Sequence, residues 1–388
     1  MTQQDRPPIN WPATLMFIMT TLPVLFVLPW YLWEFEVSAA AWIAAGLLWM
    51  ATGMAITAGY HRLWAHKAYK AHPIAKWALA IFGGMALQNS ILIWATGHRS
   101  HHRHVDHKDK DPYSAERGFW FSHMGWMIRK YPSSDLDYNG MPDLVNDRVV
   151  MTQHRHYLWF ALVPNFAIPM GLGLAFGDFW GFVLIAGFLR IVVSHHATFF
   201  INSLAHMWGR QPYTTANSAR DNDLLALFTW GEGYHNYHHI FQYDYRNGIR
   251  WWQFDPTKWS IWGMSKLGLT SELKRVPEIK IEQARVNREL ERMNEALQAR
   301  ESHSLIGEWR HQIDTEWVHF KDTLAQWADL QKSRIEAARE QVQETWEHSD
   351  IKSRIDAIDI EKALRQQRMR LRTLYREFEL ATADARPA

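Results

Sequence analysis

Three stretches of the chain, Trp11 to Trp33, Ser38 to Ala58 and Tyr157 to Phe176, each run for about twenty residues without a charged side chain. At about 1.5 Å rise per residue, such a stretch matches a bilayer core of about 30 Å, so each is expected to be a transmembrane helix. Phe179 to Leu204 is a fourth run, interrupted only by Arg190. Pro164 and Pro169 interrupt the third, as membrane helices tolerate when neighbours satisfy the freed backbone groups. No small-residue cleavage site follows the first run, which therefore reads as an anchor and not a removable signal.

A fifth apolar stretch, Ile74 to Trp94, carries Lys76, the pair Gly83 and Gly84, and the trio Gln88, Asn89 and Ser90. Its status decides the topology, because histidine groups follow the second run (His61, His66), this stretch (His98, His101, His102) and the fourth run (His235, His238, His239). If it crossed the bilayer, the first two groups would face opposite sides. As an amphipathic interfacial helix, about residues 74–94, it leaves all three on one side. The short loops "EFEV" and "GD" carry no Lys or Arg, whereas the histidine-bearing segments carry many, so both termini and the histidine side are expected to be cytoplasmic.

The chain is thus expected to be all-α: four transmembrane helices plus an interfacial helix, a cytoplasmic helical cap carrying the histidines, and a helical C-terminal extension. The division falls near residue 274, giving a membrane domain of residues 1–274 and a charged extension of residues 275–388. In the extension, Val286, Leu290, Met293 and Leu297, then Trp309, Ile313, Trp317, Phe320, Leu324 and Trp327, step by three and four; that apolar seam suits a partner helix or the membrane face.

Composition narrows the chemistry. The 388 residues include no cysteine, which removes disulfides, Cys-ligated zinc, iron–sulfur clusters and thiolate haem, so any metal must sit on nitrogen and oxygen. A formal charge of +2 gives no reason to expect a nucleic-acid partner.

Residues at i, i+3 and i+4 of a helix share an arc of about 100°, so His98, His101 and His102 project from one face, as do His235, His238 and His239. Asn202 and His206, four apart, share a face at the end of the fourth run, Asn202 as an oxygen or water-bridging candidate. His61 and His66 are five apart, about 140° round an α-helix, and cannot both face one point without a helix end between them; two adjacent metals, each taking one, would accommodate this. Nine imidazoles are too many for one tetrahedral zinc and suit two metals of higher coordination, though imidazole alone does not name the metal. Single interfacial histidines often only hydrogen-bond headgroups; two HxxHH groups with HxxxxH on one membrane side do not fit that reading.

The segments "HRLWAH" (61–66), "HRSHH" (98–102), "NSLAH" (202–206) and "GEGYHNYHHIFQYDYR" (231–246) resemble the histidine boxes of the membrane fatty acyl desaturases, nearest the stearoyl-CoA delta-9 group. The resemblance covers roughly residues 38–270 and extends to "DPYSAERGFWFSHMGWMIRKYP". It implies four membrane helices, an interfacial helix, and a non-haem centre of two Fe. The implied ligands are His61, His66, His98, His101, His102, His206, His235, His238 and His239, with Asn202 acting through a water. The implied activity is O2-dependent insertion of a cis double bond, delta-9 by resemblance, into a saturated acyl chain, because an unactivated methylene pair needs an oxidant made from dioxygen. A bacterial cytoplasmic membrane is the expected location.

Trp64 and Trp94 are expected to line the acyl tunnel, and Asn89, Arg129 and Lys130 to meet the head of the substrate. Thr96 and Gly97 stand where vertebrate acyl-CoA relatives carry an Arg-Asp pair, so acyl-CoA is the first expectation and a glycerolipid-linked acyl chain the alternative. With no "HPGG"-like haem motif and no cysteine, electrons must come from a separate donor, a ferredoxin, rubredoxin or b-type cytochrome with its reductase; Lys108, Lys110, Arg117 and Arg129 are candidate docking cations, equally readable as a membrane-facing basic rim. His104 and His107 are expected on a solvated surface, His123 in a structural hydrogen bond, and His195 and His196 in packing. A related membrane hydroxylase is the nearest alternative. A metal transporter would place ionisable groups at mid-membrane, where this chain has no Asp or Glu.

Overall fold

The computed structural model describes residues 7–298, 306–340 and 347–383, which are almost wholly helical. They divide into two compact units, residues 1–211 with 217–275, and residues 212–216 with 276–388.

In the first unit, four helices are long and apolar enough to cross a membrane: Trp11–Glu34, Ala39–Ala65, Tyr157–Phe176 and Phe179–Met207. Ser38 caps the second, its hydroxyl accepting from the Ala41 amide at 3.3 Å. Asp178 joins the two short loops between the spans, accepting from the Ser38 amide at 2.8 Å and the Gly181 amide at 2.9 Å. The one charge of the fourth span points inward. The buried Arg190 guanidinium donates to the Ala186 and Met85 carbonyls, each at 3.2 Å, and to the Asn165 side chain of the third span, so its protons are satisfied without a carboxylate.

Ile74 to Trp94 is not the single helix its apolar content predicts. One helix runs Pro73–Gly84 and another Ile91–His104, with a turn between. Gly84 lies so close to the third span that a Cβ there would meet Phe160 Cβ at 2.8 Å. In the turn, Leu87 (φ 54°) and Asn89 (φ 72°) take left-handed conformations, and Ser90 caps the next helix. The turn is held by tertiary bonds: Asn165 and Arg190 donate to the Met85 carbonyl, and Tyr157 OH accepts from the Asn89 amide at 3.1 Å. Among the described residues the strands are Lys70–Ala71 and Thr270–Ser271, paired antiparallel with Lys70 opposite Ser271.

In the second unit, helices Glu278–Gln298, Ile306–Glu340 and Glu347–Ala383 pack on one another. The seam of the first two supplies the core. Val286, Leu290, Met293, Leu297, Ile313 and Phe320 are buried against Leu364, Leu371 and Phe378, while Trp317 stays 43% exposed. The seam's partner is thus a helix of the same unit. Buried Glu282 and Glu289 are paired, by Arg285 at 2.6 Å, Arg368 at 2.9 Å and Arg372 at 2.6 Å.

Candidate metal centre

The second span ends in an unusual turn. From Ala55 to Ala65 its backbone bonds run i→i+5, closing with the His66 amide on the His61 carbonyl at 3.0 Å. Such a turn is wider than an α-turn and recurs at functional sites. It brings residues five apart nearly into line, so the His61 and His66 rings lie 4.7 Å apart on one side. The α-helical expectation that these two must serve different points is therefore corrected.

Nine histidines gather in two groups among the described residues. His61, His66, His98, His102 and His238 form one, and His101, His206, His235 and His239 the other; within each, one ring nitrogen per residue lies within 4.8 Å of all the rest. Helix Ile91–His104 gives His98 and His102 to the first and His101 to the second. The short helix His235–Ile240 gives His238 to the first and His235 and His239 to the second. Each helix therefore serves both groups.

The chemistry of the nitrogens fits a metal. Nε2 atoms converge: His66 on His98 at 2.8 Å, His238 on His61 at 3.0 Å and on His102 at 2.9 Å, His235 on His206 and His239 at 3.1 Å each. Several Nδ1 atoms turn outward to fixed partners. His61 Nδ1 lies 2.9 Å from Glu232, His101 Nδ1 2.9 Å from Asp111, His98 Nδ1 3.2 Å from Tyr113 OH, and His206 Nδ1 2.7 Å from Ser218 Oγ, which Asp106 holds in turn. A carboxylate on Nδ1 keeps the proton there and leaves the Nε2 lone pair for a cation. Burial, reinforced by neighbouring imidazoles, pushes His66, His98, His102, His235, His238 and His239 well below the ordinary histidine pKa, so these rings are held neutral, the state in which imidazole can bind a metal. Burial raises the Glu232 pKa, but His61 and Arg62 outweigh it and hold the carboxyl below its usual range. Arg62, itself buried, spans Glu232 at 2.9 Å and Asp255 at 3.0 Å.

A cavity of about 940 Å³ opens against both groups, lined by His61 and His98 of one and His101 and His235 of the other. Asn202 lines it too, as do Asn89, Trp94, Arg129 and Lys130. Trp94 stacks on His98 with ring centres 4.9 Å apart, its indole N–H 3.4 Å from Gln88 Oε1; Gln88 donates to Thr198 Oγ1 at 2.9 Å. Trp49 and Trp230, 4.8 Å apart, also form its wall, and a Cβ on Gly53 would meet Trp230 Nε1 at 1.9 Å. Trp64 is elsewhere: it is buried in the core against Tyr60, because the wide turn swings it off the cavity wall. Arg129 donates to the Pro7 carbonyl at 2.7 Å, while Lys130 is exposed.

The other histidines stand apart from these groups. His107 is exposed and His104 bonds the Ser100 carbonyl at 3.1 Å. His123 bonds Ser203 Oγ and His196 Nδ1, each at 3.0 Å, and His195 bonds the Ala86 carbonyl at 3.0 Å. Among the docking candidates, Lys108 and Lys110 are exposed, while Arg117 lies 3.5 Å over the Phe121 ring. Glu232, Asp111, Asp106, Tyr113, Gln88 and Thr198 escaped the sequence reading. Glu232 and Asp111 had a signal, each being an acid beside a histidine box.

The fold and site together define an integral membrane protein with a histidine-lined metal centre. The sequence profile of the family described as "Fatty acid desaturase" matches residues 38–268, and the chain belongs to that family. It is 47% identical over 232 residues to a protein named "Probable acyl-CoA desaturase" in Schizosaccharomyces pombe, covering 60% of this chain and 48% of that one. It is 44% identical to "Acyl-CoA desaturase 1" of Saccharomyces cerevisiae, covering 62% and 48%, and 34% identical to "sn-2 palmitoyl-lipid 9-desaturase" of Nostoc sp., covering 70% and 93%. The chain spans about half the length of the two yeast relatives. Relatives come from yeasts and cattle as well as cyanobacteria, so the expectation of a bacterial source is not borne out.

Proposed function

We propose that the chain is an O2-dependent acyl-CoA desaturase that inserts a cis double bond, at delta-9, into a saturated acyl chain at a diiron centre. The observation that carries this is the two adjoining histidine groups opening on a single lipid-sized cavity. The groups would hold one iron each, the four-histidine group completed by Asn202 through a water. Iron bound there supplies the O2-derived oxidant that cleavage of an unactivated C–H bond requires.

The chain's own residues bind, orient and dry the substrate. Gln88 and Thr198 fix Trp94 against His98, so one wall of the cavity is rigid beside the ligands. Trp49 and Trp230 pack the wall formed by the second span and exclude water there. Asn89 and Lys130 would meet the polar head. Glu232, Asp111 and Tyr113 keep the ligand rings oriented. Electrons would come from a separate ferredoxin, rubredoxin or b-type cytochrome system, and the histidine side, with both termini, would be cytoplasmic.

The names of the yeast relatives support acyl-CoA as the carrier. A glycerolipid carrier is the second reading, supported by Gly97 on the cavity wall, where no side chain offers a cation, and by the lipid 9-desaturases of cyanobacteria. The test offers iron-loaded protein stearoyl-CoA and a stearoyl phospholipid in parallel, with a reducing system and O2. A monounsaturated product from stearoyl-CoA is expected. Product from the phospholipid alone moves the carrier to the lipid; hydroxylated product, or none with iron fully loaded, overturns the proposal.

A further inference from the structure

Apart from the metal cavity, the first unit carries a second cleft, of about 220 Å³, walled by Tyr245, Arg246, Trp251, Trp259, Trp262 and Arg275. Its indoles are unusually bare. Trp251 is 86% exposed, Trp259 43% and Trp262 50%, and Trp252, next to Trp251 in the chain, is 60% exposed. The exposure is built and not incidental. Trp259 and Trp262 lie three apart on helix Pro256–Lys266, whose other face buries Ile261 in the core. The loop bearing Trp251 and Trp252 is stapled to that helix by buried Lys258, whose ammonium donates to the carbonyls of Gly248 and Arg250 at 2.5 Å and of Gln253 at 3.0 Å.

The helix begins beside the histidine end of the second span. Thr257 Oγ1 lies 2.8 Å from Thr57 Oγ1, eight residues before the end of Ala39–Ala65 and four before His61. At the far end of the helix, the Leu269 carbonyl accepts at 2.9 Å from the His72 amide, at the cap of helix Pro73–Gly84, where Ile74 is also exposed. Tryptophan concentrates at membrane–water interfaces because its ring is apolar and its N–H is wet.

The charge around the indoles is positive. Lys266 and Arg275 are exposed, Lys266 5.3 Å from the Trp262 ring and Arg275 5.4 Å from the Tyr245 ring, and Arg250 and Lys274 are exposed beside them. The acids nearby are engaged: Asp244 by Arg246 at 2.9 Å, Asp255 by Arg62, and Glu272 by Lys70 at 2.6 Å. An apolar, indole-lined cleft beside the end of a membrane span, with exposed cations at its rim, complements one ligand chemistry, a phosphodiester attached to acyl chains.

We propose that this cleft binds an anionic phospholipid of the leaflet on the histidine side, its phosphate at Lys266 and Arg275 and its acyl region along Trp259 and Trp262. The site is separate from the metal cavity and does not depend on the reaction assigned to it.

The test uses the full chain. With no native cysteine, Trp251→Cys and, as an aqueous reference, exposed Lys108→Cys each take a single spin label. The variants are reconstituted into phosphatidylcholine vesicles with and without phosphatidylglycerol. The label at 251 is expected to be accessible to O2 and shielded from a water-soluble relaxant, more so with phosphatidylglycerol, while the label at 108 stays aqueous. In native mass spectrometry, Lys266→Gln is expected to retain phosphatidylglycerol about fivefold less than the unmodified chain. A label at 251 as water-exposed as that at 108 in both vesicles overturns the site. A shielded label with equal retention of both lipids, unchanged in Lys266→Gln, overturns its anionic selectivity.

Discussion

In the helices of residues 276–383, buried residues recur at steps of three and four, and the acids among them are met by arginines one turn away or on a neighbouring helix. The first unit keeps that rhythm in the two helices that carry His98, His101, His102, His235, His238 and His239, and departs from it at three places beside the cavity. The His61–His66 turn is i→i+5, the Met85–Ser90 turn puts Leu87 and Asn89 in left-handed conformations, and Arg62 is buried between two acids. Regular helix costs little to build and sets histidines at fixed spacings, as in Ile91–His104 and His235–Ile240. Departures from it, each costing on the order of 1–3 kcal/mol, persist where surrounding contacts over-determine them, and here those contacts aim side chains at the cavity.

The largest expected effect lies in the first unit. His238→Ala removes a ring that lies within hydrogen-bonding distance of both His61 and His102, and iron content and desaturation should fall by more than the roughly 10–100-fold typical of losing an outer-shell partner, measured by metal analysis and lipid profiling. Glu232→Gln keeps the shape but weakens the hold on His61 Nδ1, with about 10–100-fold weaker metal binding expected in a competition titration. Unchanged binding would reduce Glu232 to a partner of Arg62.

Leu290→Ala tests the other region. Opening the buried seam should destabilise the helical unit by about 2–5 kcal/mol in a denaturant titration followed by circular dichroism, with metal content unaltered. Metal loss in this variant would break the comparison. Gly53→Ala forces Trp230 to move, since the new methyl would lie 1.9 Å from its Nε1; about 1–3 kcal/mol of stability and a shift in product chain length are expected.

The smallest effect is in acid. Burial, with the neighbouring His196, lowers the His123 pKa to about 4, whereas an unfolded chain titrates near 6.5. Between those values the unfolded state holds the extra proton, so this contribution to stability is intact above about pH 6.5, shrinks as pH falls, and levels off below about pH 4. His123→Gln should flatten that part of the stability profile, measured by thermal unfolding across the range.

What could be read in advance follows the same divide. Charge-free runs report spans because a bilayer forbids charge, and the seam of the extension reports its core because the α-period repeats. The nine histidines were legible as a set because i, i+3, i+4 spacing survives in two short helices. Their sorting was not. An α-helical wheel separates His61 from His66, while the real backbone unites them, and the wheel puts His101 with His98 although it joins the other group. Glu232, Asp111 and Asp106 approach their histidines across gaps of 171, 10 and 100 positions; Glu232 and Asp111 stand near a histidine box, but no local pattern says which histidine each will meet. The break at Met85–Ser90 depends on tertiary bonds from Asn165 and Arg190, which a propensity argument cannot see.

Helices Ile91–His104 and His235–Ile240 each give nitrogens to both groups. A rotation of either helix about its axis displaces histidines of both groups at once, so the two groups are mechanically coupled through these helices. A metal in one group would immobilise the scaffold of the other, so that the ordering entropy would be lost once and not twice. With one metal in each group as proposed, loading is expected to be cooperative, and native mass spectrometry at limiting iron should show half-filled chains to be scarce.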